Sequence, residues 1–207
     1  MTDQASRLTP VSATVLALLT EGDMHPYEMA RLLRIRRDDG MVKVTNGSLY
    51  HAVARLLEQG LVAEVGTDRD GNRPERTTYT LLPAGADAVI AWVRDELPRA
   101  DHPVPFRVAL AEAHNLSRVE VIDLLRSRSA ALEGDIASHA DGLAGARASG
   151  VPAQFLIEIE RRHALLEADL AWQRTLVARL EADEIPWGPE GFDDTDRYTA
   201  QREAARE

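Results

Sequence analysis

Residues 45–62, Thr-Asn-Gly-Ser-Leu-Tyr-His-Ala-Val-Ala-Arg-Leu-Leu-Glu-Gln-Gly-Leu-Val, constrain the fold more than any other stretch of the chain. Leu49, Val53 and Leu56 recur at i, i+4 and i+7, with Leu57 beside them, so the spacing predicts a helix with one apolar face. At about 100° per residue, the opposite face carries Gly47, Ser48, His51, Arg55 and Glu58, with Tyr50 at its border. Thr45 is placed to cap the first free amides, and Gly60 to close the far end in a left-handed conformation. The N-terminal half of the outer face is thin and hydrogen-bonding. That form suits a helix whose first turns enter a DNA major groove.

The flanking segments fit the same domain. Thr9 and Pro10 open a first helix with Val15, Leu16, Leu18 and Leu19 on its inner side. Pro26 opens a second, short helix through Tyr27, Met29, Ala30, Leu32 and Leu33, and residues 34–44 read as a polar connector with its turn at Asp39-Gly40. After Gly60, residues 61–65 alternate loosely as a strand, residues 66–76 are rich in turn formers and arginine, and residues 77–82 form a β-branched and aromatic second strand. Helix, helix, helix, strand, loop, strand is the order of a winged helix-turn-helix with a two-stranded wing. A fourth helix over residues 83–97 turns Ala86, Val89, Ile90 and Val93 towards it.

Three prolines within residues 98–105 mark a boundary, and the sequence beyond is helix-rich. A short helix is expected over residues 106–113. Ser117, with Glu120 placed for a capping box, starts a long one reaching towards Ala148, which Gly134, Gly142 and Gly145 weaken. Residues 149–152 break it, and a last helix follows over residues 153–182. There Leu156, Ile159, His163, Leu166, Leu170, Gln173, Val177 and Leu180 alternate by three and four, the a/d seam of a coiled coil. The seam is expected to pack at least partly against a second subunit, with bundling inside the chain as the alternative. From Asp183 onward the chain is loop-like and acidic, with Trp187 and Phe192 as candidate anchors and a mobile end expected. The expected architecture is mainly α, with a winged domain at 1–97, a helical dimerisation arm at 98–183 and an acidic tail at 184–207.

Composition excludes several functions. The chain has no cysteine, which removes disulfides, thiol nucleophiles and thiolate metal sites. No apolar run reaches the roughly 18 residues of a membrane span, and the first residues lack a signal-peptide pattern, so a cytoplasmic protein without membrane contact is expected. The six histidines show no paired-ligand spacing, and no nucleotide-binding glycine loop appears, so neither enzyme, metal nor cofactor is expected. The net charge of −10 is unusual for a nucleic-acid reader, but it is unevenly spread. Residues 24–79 hold 9 basic against 8 acidic side chains, leaving a balance of −11 for the rest.

Three stretches together resemble the PadR family of transcriptional regulators: His25-Pro-Tyr-Glu28, Gly47-Ser-Leu-Tyr50 running through Gly60-Leu61, and Arg73 to Leu82 leading into Pro83-Ala-Gly85. The resemblance spans about the first 95 residues; the helical remainder is similar in length and layout only. It implies a homodimeric repressor with an N-terminal winged helix and a C-terminal dimerisation arm, in some members released from DNA by phenolic acids or other small aromatic molecules. Three departures stand out. Pro26 replaces the family's usual glycine, His51 its usual proline, and Arg73-Pro-Glu-Arg76 is less basic than the usual wing.

The residues expected to meet double-stranded DNA are Ser48 and His51 at base edges or phosphates, and Arg55 and Asn46 at phosphates, with Lys43 adding charge. Tyr27 and Tyr50 either bond phosphate or pack, and Arg69, Arg73 and Arg76 supply the wing. His163 and Trp172 are the candidate effector contacts, with register-setting and core packing as their plainer roles. A pseudo-palindromic operator follows if two groove helices lie about 34 Å apart. The rival reading is a protein–protein adaptor whose winged helix no longer binds DNA, for which the net charge speaks.

Overall fold

The structure, a computed structural model, describes residues 8–38, 42, 44–68, 76–188 and 195–206. Helix α1 (Pro10–Thr20) starts as its sequence directs: Pro10 stands at the first helical position, and the Thr9 hydroxyl accepts the Ser12 amide at 3.1 Å. Helix α2 (Pro26–Arg36) runs a turn further than its apolar pattern predicts. The extra turn is held where Arg36 grips Glu21 with two bonds of 2.5 and 2.7 Å, before Arg37 ends the helix in a left-handed conformation. Helix α3 (Asn46–Glu58) ends at Gly60, which has φ +67° as expected.

Strands β1 (Val62–Asp68) and β2 (Arg76–Leu81) form an antiparallel ribbon with an irregularity between Glu64 and Gly66. β2 also bridges to Met24 through two 3.1 Å backbone bonds with Tyr79, which ties the wing to the entrance of α2. Helix α4 (Pro83–Glu96) starts so close to the residue preceding β1 that a Cβ at Gly85 would stand 2.2 Å from the Leu61 carbonyl oxygen. Only glycine fits that approach.

Helix α5 (Pro103–Ala111) begins three residues before its expected start, because Pro103 is itself a good first helical residue. A 3₁₀ turn at Ala113–Asn115 leads into α6 (Arg118–Ala148), where the Ser117 hydroxyl accepts the Glu120 amide at 3.2 Å. The three glycines do not interrupt this helix. Gly150, at φ +76°, turns the chain, and a second 3₁₀ turn (Ala153–Phe155) precedes α7 (Ile157–Glu181), antiparallel to α6. The hairpin is not a separate body: Val121, Ile122 and Leu125 of α6 with Val177 and Leu180 of α7 join the core that α1 to α5 build.

The chain's end departs from expectation. Rather than a mobile tail, residues Thr195–Arg206 form helix α8, laid on α2. Ala205 is buried there, Arg206 pairs with Glu28 at 3.1 Å, and Gln201 accepts from Arg36 at 3.1 Å. Trp187 acts as the anchor its sequence position suggests, its indole donating to the Leu116 carbonyl at 2.9 Å; Phe192 lies outside the described residues. No helix among the described residues is long and apolar enough to cross a membrane.

Candidate nucleic-acid interface

Helix α3 turns Leu49, Ala52, Val53 and Leu56 into the core and leaves Asn46, Tyr50, His51 and Arg55 exposed. Its start is fixed by a reciprocal cap. The Thr45 hydroxyl accepts the Ser48 amide at 3.1 Å, and the Ser48 hydroxyl accepts the Thr45 amide at 2.9 Å. Ser48 also donates to the Thr45 carbonyl at 2.9 Å. A hydroxyl has one donor and two acceptor sites, so Ser48 keeps a single free lone pair. It can still accept from a base amino group, but its proton is not free for a phosphate.

The first turn of α2 stands beside this helix. His25 caps α2 by accepting the Tyr27 amide at its Nδ1 (3.0 Å), and its ring meets Tyr50 edge-on at 6.3 Å. Residues Tyr27 and Tyr50 are 41% and 50% exposed, so each is partly packed and partly in water. At the opening of α3 the positive end of the helix favours an anion, whereas at α2 Pro26 has no N–H and the Tyr27 amide is already bonded to His25. At the root of the wing, burial raises the Tyr79 phenol above its ordinary value; Glu64 adds to this and a Thr77 hydrogen bond opposes it. The group stays neutral and structural. Arg76 opens β2, with its side chain beyond the described part, while Lys43, Arg69 and Arg73 lie outside the described residues.

The seam of α7 divides. Leu156, Leu170, Gln173, Val177 and Leu180 are buried within this chain, whereas His163 and Leu166 are only partly covered and Ile159 is exposed. A second stripe, with Leu165 and Trp172 about half exposed, faces outward. Nδ1 of His163 is buried with no partner, and Trp172 lies on the open side of α7; neither lines the large cavity described below.

Sequence reading missed Arg128. It is buried at the foot of the arm, donating to Gln173 Oε1 at 2.6 Å, Asp169 Oδ2 at 2.7 Å and the Arg99 carbonyl at 3.2 Å, with its guanidinium 3.6 Å over the Phe106 ring. The signal was present, an arginine on the apolar side of α6 between Leu125 and Leu132, opposite the one polar seam residue that fits it. Nearby, Glu96 is buried against His102 at 2.9 Å. Among the described residues, no group of three acidic or histidine side chains could hold a metal ion.

Residues 15–90 match the model of the "Transcriptional regulator PadR-like family". No curated protein matches the chain. Among solved structures, Bacillus subtilis PadR in complex with operator DNA is similar at 17% identity over 82% of this chain and 98% of that one, with a TM-score of 0.37. The same protein with p-coumaric acid gives 16% over 87% and 99%, with a TM-score of 0.34. A transcriptional regulator from Clostridium thermocellum, Cth-833, gives 28% over 44% and 84%, with a TM-score of 0.33. The matched family is one of transcriptional regulators, not enzymes. With its three helices, its paired wing strands and the Gly85 contact in place, the segment over residues 15–90 is a winged-helix domain of the PadR-like transcriptional regulator family.

Proposed function

We propose that this chain is a cytoplasmic, homodimeric DNA-binding repressor that reads a pseudo-palindromic operator and is released by a small-molecule effector. The observation that carries the reading is the outer face of α3. It presents Asn46, Ser48, Tyr50, His51 and Arg55 on a helix whose inner face is fully committed to the core. In this reading residues 1–97 dock on the duplex, with α3 in the major groove and the first turn of α2 on the flanking phosphates. Tyr27 and Asn46 contact phosphate, Ser48 and His51 read base edges, and Arg55 meets the backbone one turn on. Lys43, Arg69, Arg73 and Arg76 add positive charge from the connector and wing.

Residues 98–183 pair the subunits. The half of the seam near Leu180 is consumed by α6, so the intersubunit contact draws on the open stripe of Leu165 and Trp172 with the exposed Ile159 and the partly covered His163 and Leu166. The near-neutral balance of residues 24–79 makes binding modest in strength and steeply dependent on salt.

Electrophoretic shift of the DNA upstream of the chain's own gene, at low and high salt, tests the reading. A specific, salt-sensitive band is expected; its absence at both salts would overturn it.

A further inference from the structure

Helix α8 closes on the winged domain at three points. Gln201 accepts from Arg36 at the end of α2, Arg202 donates to the carbonyls of Glu21 and Asp23 in the turn before α2, and Arg206 bonds Glu28 in its first turn. The fit at the turn is close, since a Cβ on Gly22 would stand 2.9 Å from the Arg202 guanidinium. Ala205, one residue before the last of these contacts, is buried. A cavity of about 1250 Å³, lined by Thr199 and Arg202 together with Val108 and Leu116, lies between α8 and the foot of the arm. The helix therefore depends on these bonds more than on a continuous apolar contact, and they bring its last turn to the residue next to Tyr27.

The pair made by Arg206 and Glu28 is asymmetric. Nε donates to Glu28 Oε1 at 3.1 Å, with the arginine side chain 59% exposed and the glutamate 12%. The acid lies underneath and the cation faces water. Among the described residues Arg206 makes no other bond, so both its terminal nitrogens remain open as donors. This decides how the first turn of α2 meets a phosphate. With no N–H on Pro26 and the Tyr27 amide bonded to His25, the helix opening offers little to an anion, and Glu28 would repel one. Arg206 covers that acid. In its place the surface presents a planar fork, the shape that meets phosphate oxygens in pairs.

We propose that Arg206 is a contact for the DNA backbone, so that the C-terminal helix completes the phosphate-binding surface that Tyr27 begins. The open terminal nitrogens take the phosphodiester while Nε stays on Glu28. The inference rests on the regulator reading and adds to it a residue from outside the winged domain, 178 positions from Glu28 in the sequence. Gln201 and Arg202 are positioning residues, fixing α8 on the far end of α2 and on the turn before it. The contact is blind to sequence, because a phosphate carries no base identity.

The two halves of this salt bridge provide the test. Fluorescence anisotropy is measured across a salt series with two labelled duplexes of equal length, one from upstream of the chain's own gene and one of random sequence. The proteins are the full chain, Arg206→Gln, Arg206→Lys and Glu28→Gln. Arg206→Gln should weaken binding to both duplexes about fivefold or more at about 0.1 M salt and lower the salt slope by about one unit per bound subunit. Arg206→Lys keeps the charge and should retain the slope. Glu28→Gln breaks the same pair but removes a negative charge, so it should bind as tightly as the parent or more tightly. A role confined to holding α8 down predicts equal losses from Arg206→Gln and Glu28→Gln, since both cut one bond. Equal losses overturn the proposal, and so does an unchanged slope in Arg206→Gln. If Glu28→Gln does not fold, the slopes of the two Arg206 variants decide alone. Failure of the parent chain to bind either duplex defeats the regulator reading and this inference with it. Binding by the parent with no loss in Arg206→Gln defeats this inference only.

Discussion

Replacing Gln173 with leucine tests how the arm is fixed to the winged domain. The side chain, itself fully buried, accepts from Arg128 at 2.6 Å and donates to the Leu125 carbonyl at 2.8 Å and to the half-buried Ser129 hydroxyl at 2.7 Å. Leucine has nearly the same volume, so the packing term is small. The change lies in the bonds: a buried guanidinium loses an acceptor, and two neighbours lose a donor. An unsatisfied buried group costs about 1–3 kcal/mol, more when charged, so Gln173→Leu should cost roughly 2–4 kcal/mol on that scale. The double variant with Arg128→Met removes the charge together with its need for a partner. Asp169, which is one-third exposed, can then turn to water. Replacing a buried ionic group by hydrophobes of similar size is often neutral or stabilising. The double variant should therefore be more stable than Gln173→Leu alone, with a coupling above about 1 kcal/mol. Urea denaturation followed by helical circular dichroism, at one protein concentration throughout, provides the measurement. A loss below about 0.5 kcal/mol for Gln173→Leu, or simple addition of the two single losses, would refute the reasoning.

Three further outcomes are expected. Gly85→Ala should destabilise the winged domain by about 1–3 kcal/mol, the usual cost of overpacking, because the added carbon meets the Leu61 carbonyl; an unchanged urea midpoint would contradict the contact. His51→Ala should alter which sequences are preferred, whereas Arg55→Ala should weaken all sites alike and lower the salt slope by about one unit; identical effects of the two on every sequence would count against the division of roles. Burial raises the Glu112 carboxyl above the ordinary glutamate value, so the fold favours its protonated form. That support is complete in acid and is lost as pH rises through the folded-state value. Glu112→Gln does not titrate, so it should gain in thermal stability relative to the parent between acid and neutral pH; a gap constant with pH would exclude the effect.

Much of the winged domain was legible because its signals are local. Thr9-Pro10, Thr45 with Ser48, and Gly60 each act within four residues, and the apolar spacing of Leu49, Val53 and Leu56 decides which face of α3 is free. The features that escaped depend on partners far along the chain. Gly85 was recognised as part of a motif, but its reason is an approach to Leu61 that no local rule contains. Arg128 reads as a flaw in an apolar face until Gln173 and Asp169 come to meet it. Helix α8 shows little apolar periodicity, and its hold on α2 and the turn before it comes from Ala205, from Gln201 on Arg36 and from arginines bonding residues some 180 positions away. The α7 seam is regular in the sequence. Periodicity alone does not say which helix covers it, and α6 covers half.

The central claim, that the outer face of α3 reads DNA in a paired molecule, is tested most directly by selecting bound sequences from a pool of random duplexes with the full-length protein. An enriched inverted repeat with half-sites about one helical turn apart, no longer selected by a His51→Ala variant, is the predicted result. Recovery of the starting pool without enrichment at low salt would contradict it.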